Sequence, residues 1–295
     1  MTSPALPDLA GFRPIVPGPR GRRRAADALA VVGCHLAAAL VILPLALIVW
    51  HLVKLGGSGL SPGFFLNLPK PVGEPGGGMA NAIVGTGILA GIATLIAVPI
   101  GVGTGVFLAE HGDGRFGTLV RTTADVLNGV PSIVIGVAAY GLVVVPMGGF
   151  SALAGGVALS LLMLPTIARS TEEVVRLVPR SYREAALALG APRWRVIHNV
   201  VLPAASGGVI TAVLLAIARA AGETAPLLFT ALGSRFWSVS IHRPIASLPI
   251  YIFDYARAPY DDWNRQAWTG ALVLLMLVTV LSALVRLSTR GIARR

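Results

Sequence analysis

The 295-residue chain is 55% hydrophobic and 13% charged, with a mean hydropathy of +0.76, far from the soluble average of about 25% charged residues. It reads as a polytopic membrane protein. Its net charge of +11 is scattered between apolar runs without interleaved aromatics, which argues against a nucleic-acid partner, and the single cysteine, Cys34, excludes an intrachain disulfide and a Cys-based metal cluster.

Residues 1–24 are rich in Pro and Arg and read as a disordered basic cytosolic tail. The apolar run after them exceeds a signal peptide's core of about 7–15 residues, so it reads as a permanent helix. Residues 25–290 read as one all-α transmembrane domain with six candidate spans, each reaching the roughly 17–25 residues that a crossing helix needs. The first is Ala28–Trp50. The second, Met79–Ala109, is uncharged and long enough to bend near Pro99. Its glycines at 85, 87, 91, 101, 103 and 105 suit close helix packing, with a pore-lining role for Thr86 or Thr94 as the competing expectation. The third span is Val126–Met147. A tight turn at Gly148 and Gly149 joins it to the fourth, Ser151–Ala168. A charged segment, 173–203, leads to the fifth, Pro203–Ala231. An outer loop, 232–266, rich in aromatics (Phe236, Trp237, Tyr251, Tyr255, Tyr260, Trp263), reads as an interfacial aromatic belt or a landing surface for an external protein. The sixth span is Ala267–Val285, and 291–295 form a basic cytosolic C-terminus.

With the N-terminus inside, alternate loops collect seventeen Lys and Arg on the cytosolic side against six outside. This places both termini and the 173–203 segment in the cytosol. Neither lysine, Lys54 or Lys70, follows a glycine, so no Walker A motif exists and the chain cannot hydrolyse ATP unaided. The five histidines share no spacing that suggests a metal site.

Two intramembrane charges stand out. An arginine near a bilayer centre costs about 2.5–3.5 kcal/mol on insertion scales, so such residues face a protein interior or an aqueous path. Arg219 and Glu223 lie four apart, on one face if the helix continues. The guanidinium fork suits two oxygens of an oxyanion. Glu223 either accepts the proton of a proton-bearing oxyanion or holds Arg219 while the site is empty. Pro226 has no N–H for the Gly222 carbonyl, which favours a bend beside the pair.

Glu184, Ala185 and Ala186, then Gly190, Val200, Leu202 and Pro203, fit the spacing EAA-x3-G-x9-I-x-LP with Val in place of Ile. This resembles the EAA loop of importer-type ABC permeases, in which a short coupling helix docks into an ATPase subunit. Asn128-Gly129-Val130-Pro131-Ser132-Ile133-Val134, the run Ala218 to Thr230, and Phe236-Trp237 resemble the PstA family of permeases from bacterial phosphate-specific importers. The resemblance implies a MetI-like fold in the bacterial inner membrane. It also implies a PstC-like sister permease, a PstB-like ATPase pair carrying ATP and Mg, and a PstS-like phosphate-binding protein outside; this chain itself binds no cofactor. On that resemblance Glu184, Ala185, Ala186 and Gly190 couple to the ATPase, and Arg219, Glu223 and Thr224 line the substrate path. A sulfate or molybdate permease, a proton-coupled secondary transporter and a non-transporting membrane sensor are the competing expectations.

Overall fold

The computed structural model describes residues 20–74 and 76–292, with side chains over 25–74 and 76–283. Residues 1–51 and 52–295 form two units. The first consists, where described, of most of α1 (Arg20–Gly56). The helix begins at Arg20, so the last five residues of the expected tail are helical; the remainder of that tail, and residues 293–295, lie outside the described residues. The side chains of α1 from Ala28 to Trp50 are exposed, as an apolar run needing lipid or protein cover would be.

The regular elements described in the second unit are helices: α2 (Pro62–Leu66), α3 (Ala80–His111), α4 (Arg115–Gly129), α5 (Ser132–Ala139), α6 (Val145–Met147), α7 (Ala152–Arg176), α8 (Arg180–Ala188), α9 (Arg193–Val196), α10 (Leu202–Ala221), α11 (Ala225–Leu228), α12 (Leu248–Ala256) and α13 (Asp261–Ile292). Five stretches are long and apolar enough to cross a bilayer, 25–59, 80–111, 152–176, 193–221 and 261–283; a sixth exists if α4 and α5–α6 count as one bent span.

The α3 and α7 helices form the centre. Leu89, Ala93 and Ala97 of α3 are buried with Leu159, Met163 and Ile167 of α7, Ala216 and Ala220 of α10, and Ile135 of α5. Part of the glycine pattern is what brings them close. A Cβ on Gly101 would lie 2.9 Å from Ile167 Cβ, and one on Gly105 would lie 2.5 Å from the Ala168 carbonyl oxygen. Close backbone approach of this kind is how helices associate where no hydrophobic force acts between them. Gly87, Gly91 and Gly103 face open space within the chain. Thr86 is buried, donates to the Ala82 carbonyl and accepts from Leu248 N at 2.9 Å, so it anchors α12 rather than lining a path.

Two of the expected spans need correction. The third does not run straight from Val126: α4 and α5–α6 meet at 105° across Val130–Pro131. Val130 is extended (φ −70°, ψ 130°), as the residue before a proline prefers, and α4 has one apolar face, so it suits lying across the span rather than within it. The fifth span starts ten residues earlier than expected, at Arg193, and ends at Ala221. It passes Pro203 because a π-helical turn, Ile197–Val201, sits just before the proline. The same device, Tyr140–Val144, precedes Pro146. A proline leaves a carbonyl four residues back without its donor, and a π-turn shifts the hydrogen-bond register by one residue at that point.

The expected hairpin after α6 is present: Gly148 adopts φ +71° and Ser151 caps α7 by accepting from Ala154 N. The aromatics of the 232–266 loop divide. Tyr251, Tyr255 and Trp263 stack with centroids 5.6 and 4.4 Å apart, whereas Phe236 is 80% exposed and Trp237 is also exposed. Tyr251 is buried, donates to the Ser234 carbonyl and accepts from Asn81 Nδ2. Burial pushes its phenol up to about 12.

Candidate functional site

α10 ends at Ala221, so Arg219 lies in its last turn and Glu223 lies beyond it. The helix closes with two short-range bonds, from Gly222 N to the Arg219 carbonyl and from Glu223 N to the Ala220 carbonyl. Pro226, at the second position of α11, offers no N–H to Gly222. Thr224 heads α11: its carbonyl accepts from Leu227 N and Leu228 N. The span is thus interrupted at Gly222–Thr224, the discontinuity seen where transporters bind ions.

Arg219 and Glu223 remain neighbours across the interruption. Arg219 Nε lies 3.7 Å from Glu223 Oε1, with the arginine side chain 56% exposed and the glutamate 19%. That separation allows attraction but is too long for a hydrogen bond. The donors of Arg219 therefore stay uncommitted to Glu223, and a planar fork in that state is available to an anion. Three residues on from Glu223, α5 packs against α11, its Gly136 so close that a Cβ there would lie 2.6 Å from Pro226 Cα.

At the other end of α10, α8 carries Glu184, Ala185 and Ala186 on a short helix capped by Leu189, and Gly190 turns the chain at φ +80°. Glycine meets that left-handed conformation at little cost. Glu184 and Ala185 are exposed, Ala186 is partly buried, and Leu189 is 90% exposed. Large apolar side chains in that position, with Leu187 and Tyr182 also exposed, form a compact knob suited to a groove on another protein. Arg183 fixes the knob to the bundle, giving two hydrogen bonds to Glu110 Oε1 at 2.8 and 3.0 Å and one to the Val175 carbonyl.

The sequence reading missed a third group, at this same end. Glu172 is 2% exposed and receives three arginines, Arg169 at 2.6 Å, Arg121 at 2.7 Å and Arg176 at 2.9 Å. Arg169 also reaches Asp125 at 3.0 Å. A signal was present, since Arg169, Glu172 and Arg176 stand at i, i+3 and i+7 and so share one helix face. The contribution of Arg121 comes from a distant part of the chain. Among the described residues no cluster of His, Cys, Asp or Glu could hold a metal ion.

Residues 101–295 match the family described as binding-protein-dependent transport system inner membrane component. The chain is 44% identical over 268 residues to the phosphate transport system permease protein PstA of Yersinia pestis, covering 90% of each. It is 36% identical over 276 residues to phosphate transport system permease protein PstA 1 of Mycobacterium tuberculosis (strain ATCC 25618 / H37Rv), covering 92% of this chain and 88% of that one. A chain of the MetNI methionine ABC transporter in an inward-facing conformation superposes with a TM-score of 0.59 at 21% identity, covering 72% of this chain and 97% of that chain; this likeness is one of fold. An interrupted span bearing a loosely paired arginine, a short exposed helix at the far end and these relatives converge: the chain belongs to the binding-protein-dependent transport system inner membrane components, and among them to the phosphate transport system permease proteins PstA.

Proposed function

We propose that the chain is the membrane permease subunit of an ATP-driven phosphate importer, with Arg219, Glu223 and Thr224 on the substrate path. The observation that carries this is the 3.7 Å separation of Arg219 from Glu223 at a break in the helix. Four arginines of the opposite end, Arg121, Arg169, Arg176 and Arg183, are held within hydrogen-bond distance of a carboxylate, whereas Arg219 keeps its donors for another acceptor. Charge-assisted bonds from such a fork are roughly twice as strong as neutral ones. Glu223 suits a proton-bearing oxyanion, whose O–H it accepts, better than a fully deprotonated one, which it repels.

In this reading α8 faces the cytosol with both termini, and its exposed Leu189, Glu184 and Ala185 dock on a PstB-like ATPase pair that carries the ATP and Mg. A dianion needs more than one cation, and a PstC-like sister permease supplies the remainder across the exposed side of Arg219. A PstS-like phosphate-binding protein delivers cargo at the end bearing Phe236 and Trp237. The test is radiolabelled phosphate uptake by the reconstituted complex with ATP inside the compartment that α8 faces. Arg219→Lys, which keeps charge but loses the fork, and Glu223→Gln should each lower uptake at least tenfold without loss of assembly. Wild-type uptake in both variants, preference for sulfate or molybdate in competition, or uptake driven by a proton gradient without ATP overturns the proposal.

A further inference from the structure

α4 is fastened to α7 by three polar contacts in antiparallel register. Arg121 Nε donates to Glu172 Oε1 at 2.7 Å, Asp125 Oδ1 pairs with Arg169 Nε at 3.0 Å, and Asn128 Oδ1 accepts from Thr166 Oγ1 at 3.2 Å. Positions 121, 125 and 128 fall on one stripe of α4, and 172, 169 and 166 on one stripe of α7. Arg121 does more than pair. Its Nη1 donates to the Gly112 carbonyl at 2.8 Å and its Nη2 to the Leu108 carbonyl at 3.0 Å, which closes the end of α3. The corner admits no side chain: a Cβ on Gly112 would meet Arg121 Nη2, and one on Gly117 the Gly112 carbonyl oxygen, at less than hydrogen-bond distance. One side chain therefore ties α3, α4 and α7 together.

We infer that Arg121 is a positioning residue for transport: it locks α4 onto α7 so that a push received by α8 reaches the interrupted span. The physical chain is continuous. α8 follows α7 after only Leu177–Pro179 and is clamped to it by Arg183. α7 holds α4 through the polar stripe. α4 turns at Val130–Pro131 into α5, and Gly136 of α5 bears on Pro226, three residues from Glu223. An apolar interface has no fixed partners to hold its register, but sliding this one would leave the buried Glu172 carboxylate without its arginines, an uncompensated charge away from water. A charged stripe thus transmits motion without slip, provided that Arg121 stays seated.

The inference rests on the function proposed above, and its test has a readout that does not need phosphate. Spin labels at the exposed positions Thr122 and Glu173, on a Cys34→Ser background, report the α4 to α7 distance in the complete complex with and without ATP. The distance should be unchanged by ATP when Arg121 is present and should broaden and shift with ATP in Arg121→Met. In the same variant ATP hydrolysis should stay within about twofold while uptake per ATP falls about tenfold. If Arg121→Met does not assemble, Arg121→Gln decides, since it keeps a donor for the Gly112 and Leu108 carbonyls and adds no charge beside Arg169 and Arg176: an ATP-dependent distance with lowered uptake per ATP supports the role, and an unchanged distance with full uptake overturns it. An ATP-dependent distance in the unsubstituted complex, or full uptake in Arg121→Met, also overturns it. A wild-type complex that shows the locked distance but moves no phosphate strikes the functional proposal instead.

Discussion

Gly136→Ala adds one methyl group where α5 meets α11. The new Cβ would lie 2.6 Å from Pro226 Cα and 3.3 Å from its carbonyl oxygen. Carbon atoms rest about 3.5–4.0 Å apart, so the two backbones must separate by about 1 Å. Side-chain rotation cannot relieve the clash, because the opposing atoms are main chain and the proline ring fixes φ. Overpacking of this size costs about 1–3 kcal/mol, which an assembled complex survives. The displacement is more damaging than the energy, since a misplacement of about 1 Å at a binding site costs up to about 10²-fold in rate. ATP-driven phosphate uptake by the reconstituted complex should fall about 10- to 100-fold, with unchanged subunit recovery on size exclusion. Gly103→Ala, which introduces the same methyl into open space within the chain, should stay near wild type. Normal uptake in Gly136→Ala, or an equal loss in Gly103→Ala, would refute the reasoning.

Replacing Leu189 by Glu puts a charge at the most exposed point of the α8 knob; ATPase co-elution should drop at least tenfold while the permease still inserts, as read by pull-down from solubilised membranes. Tyr251→Phe removes the bond that Tyr251 donates to Ser234 and the one it accepts from Asn81, and should cost about 2 kcal/mol of stability at neutral pH. A tyrosine ionises near 10.0 when unfolded, but Tyr251 holds its proton to about 12 in the fold. Above pH 10 the unfolded chain therefore loses a proton that the fold retains, and stability falls as pH rises. Thermal melts between about pH 9 and 11 should show a shallower alkaline loss in Tyr251→Phe than in wild type.

The spans that the sequence revealed best are those whose burial is simple. α1, α3 and α13 each contain an uncharged run of about a bilayer's thickness or more, and α7 has one near the lower limit for a span, so their placement followed from length. α4 was misread because Val126 and Leu127 on its apolar side run into the apolar start of α5; only the Val130–Pro131 step marks the turn, and a proline permits either a kink or a break. The start of the fifth span was misread for the opposite reason. In sequence Pro203 looks like a helix start, whereas a π-turn upstream lets the helix pass through it. Arg219 and Glu223 could be picked out locally, as charges in an apolar run with Pro226 favouring a bend beside them, but the packing of Pro226 against Gly136 of α5 could not. The arginines around Glu172 were counted only as a topological bias, because their shared partner is set by the meeting of α4 and α7, and no short stretch of sequence encodes that meeting.

The shortness of the stretch after the 105° turn bears on what an ion must cross. From Ser132 to Met147 the chain rises about 24 Å, against roughly 30 Å of hydrocarbon. With α4 laid sideways beneath it, the insulating layer beside α5 is thinner than the surrounding membrane by about one helical turn. Headgroups and water drawn inward by a short span narrow the dielectric barrier beside it, which is the direction that favours a multiply charged cargo.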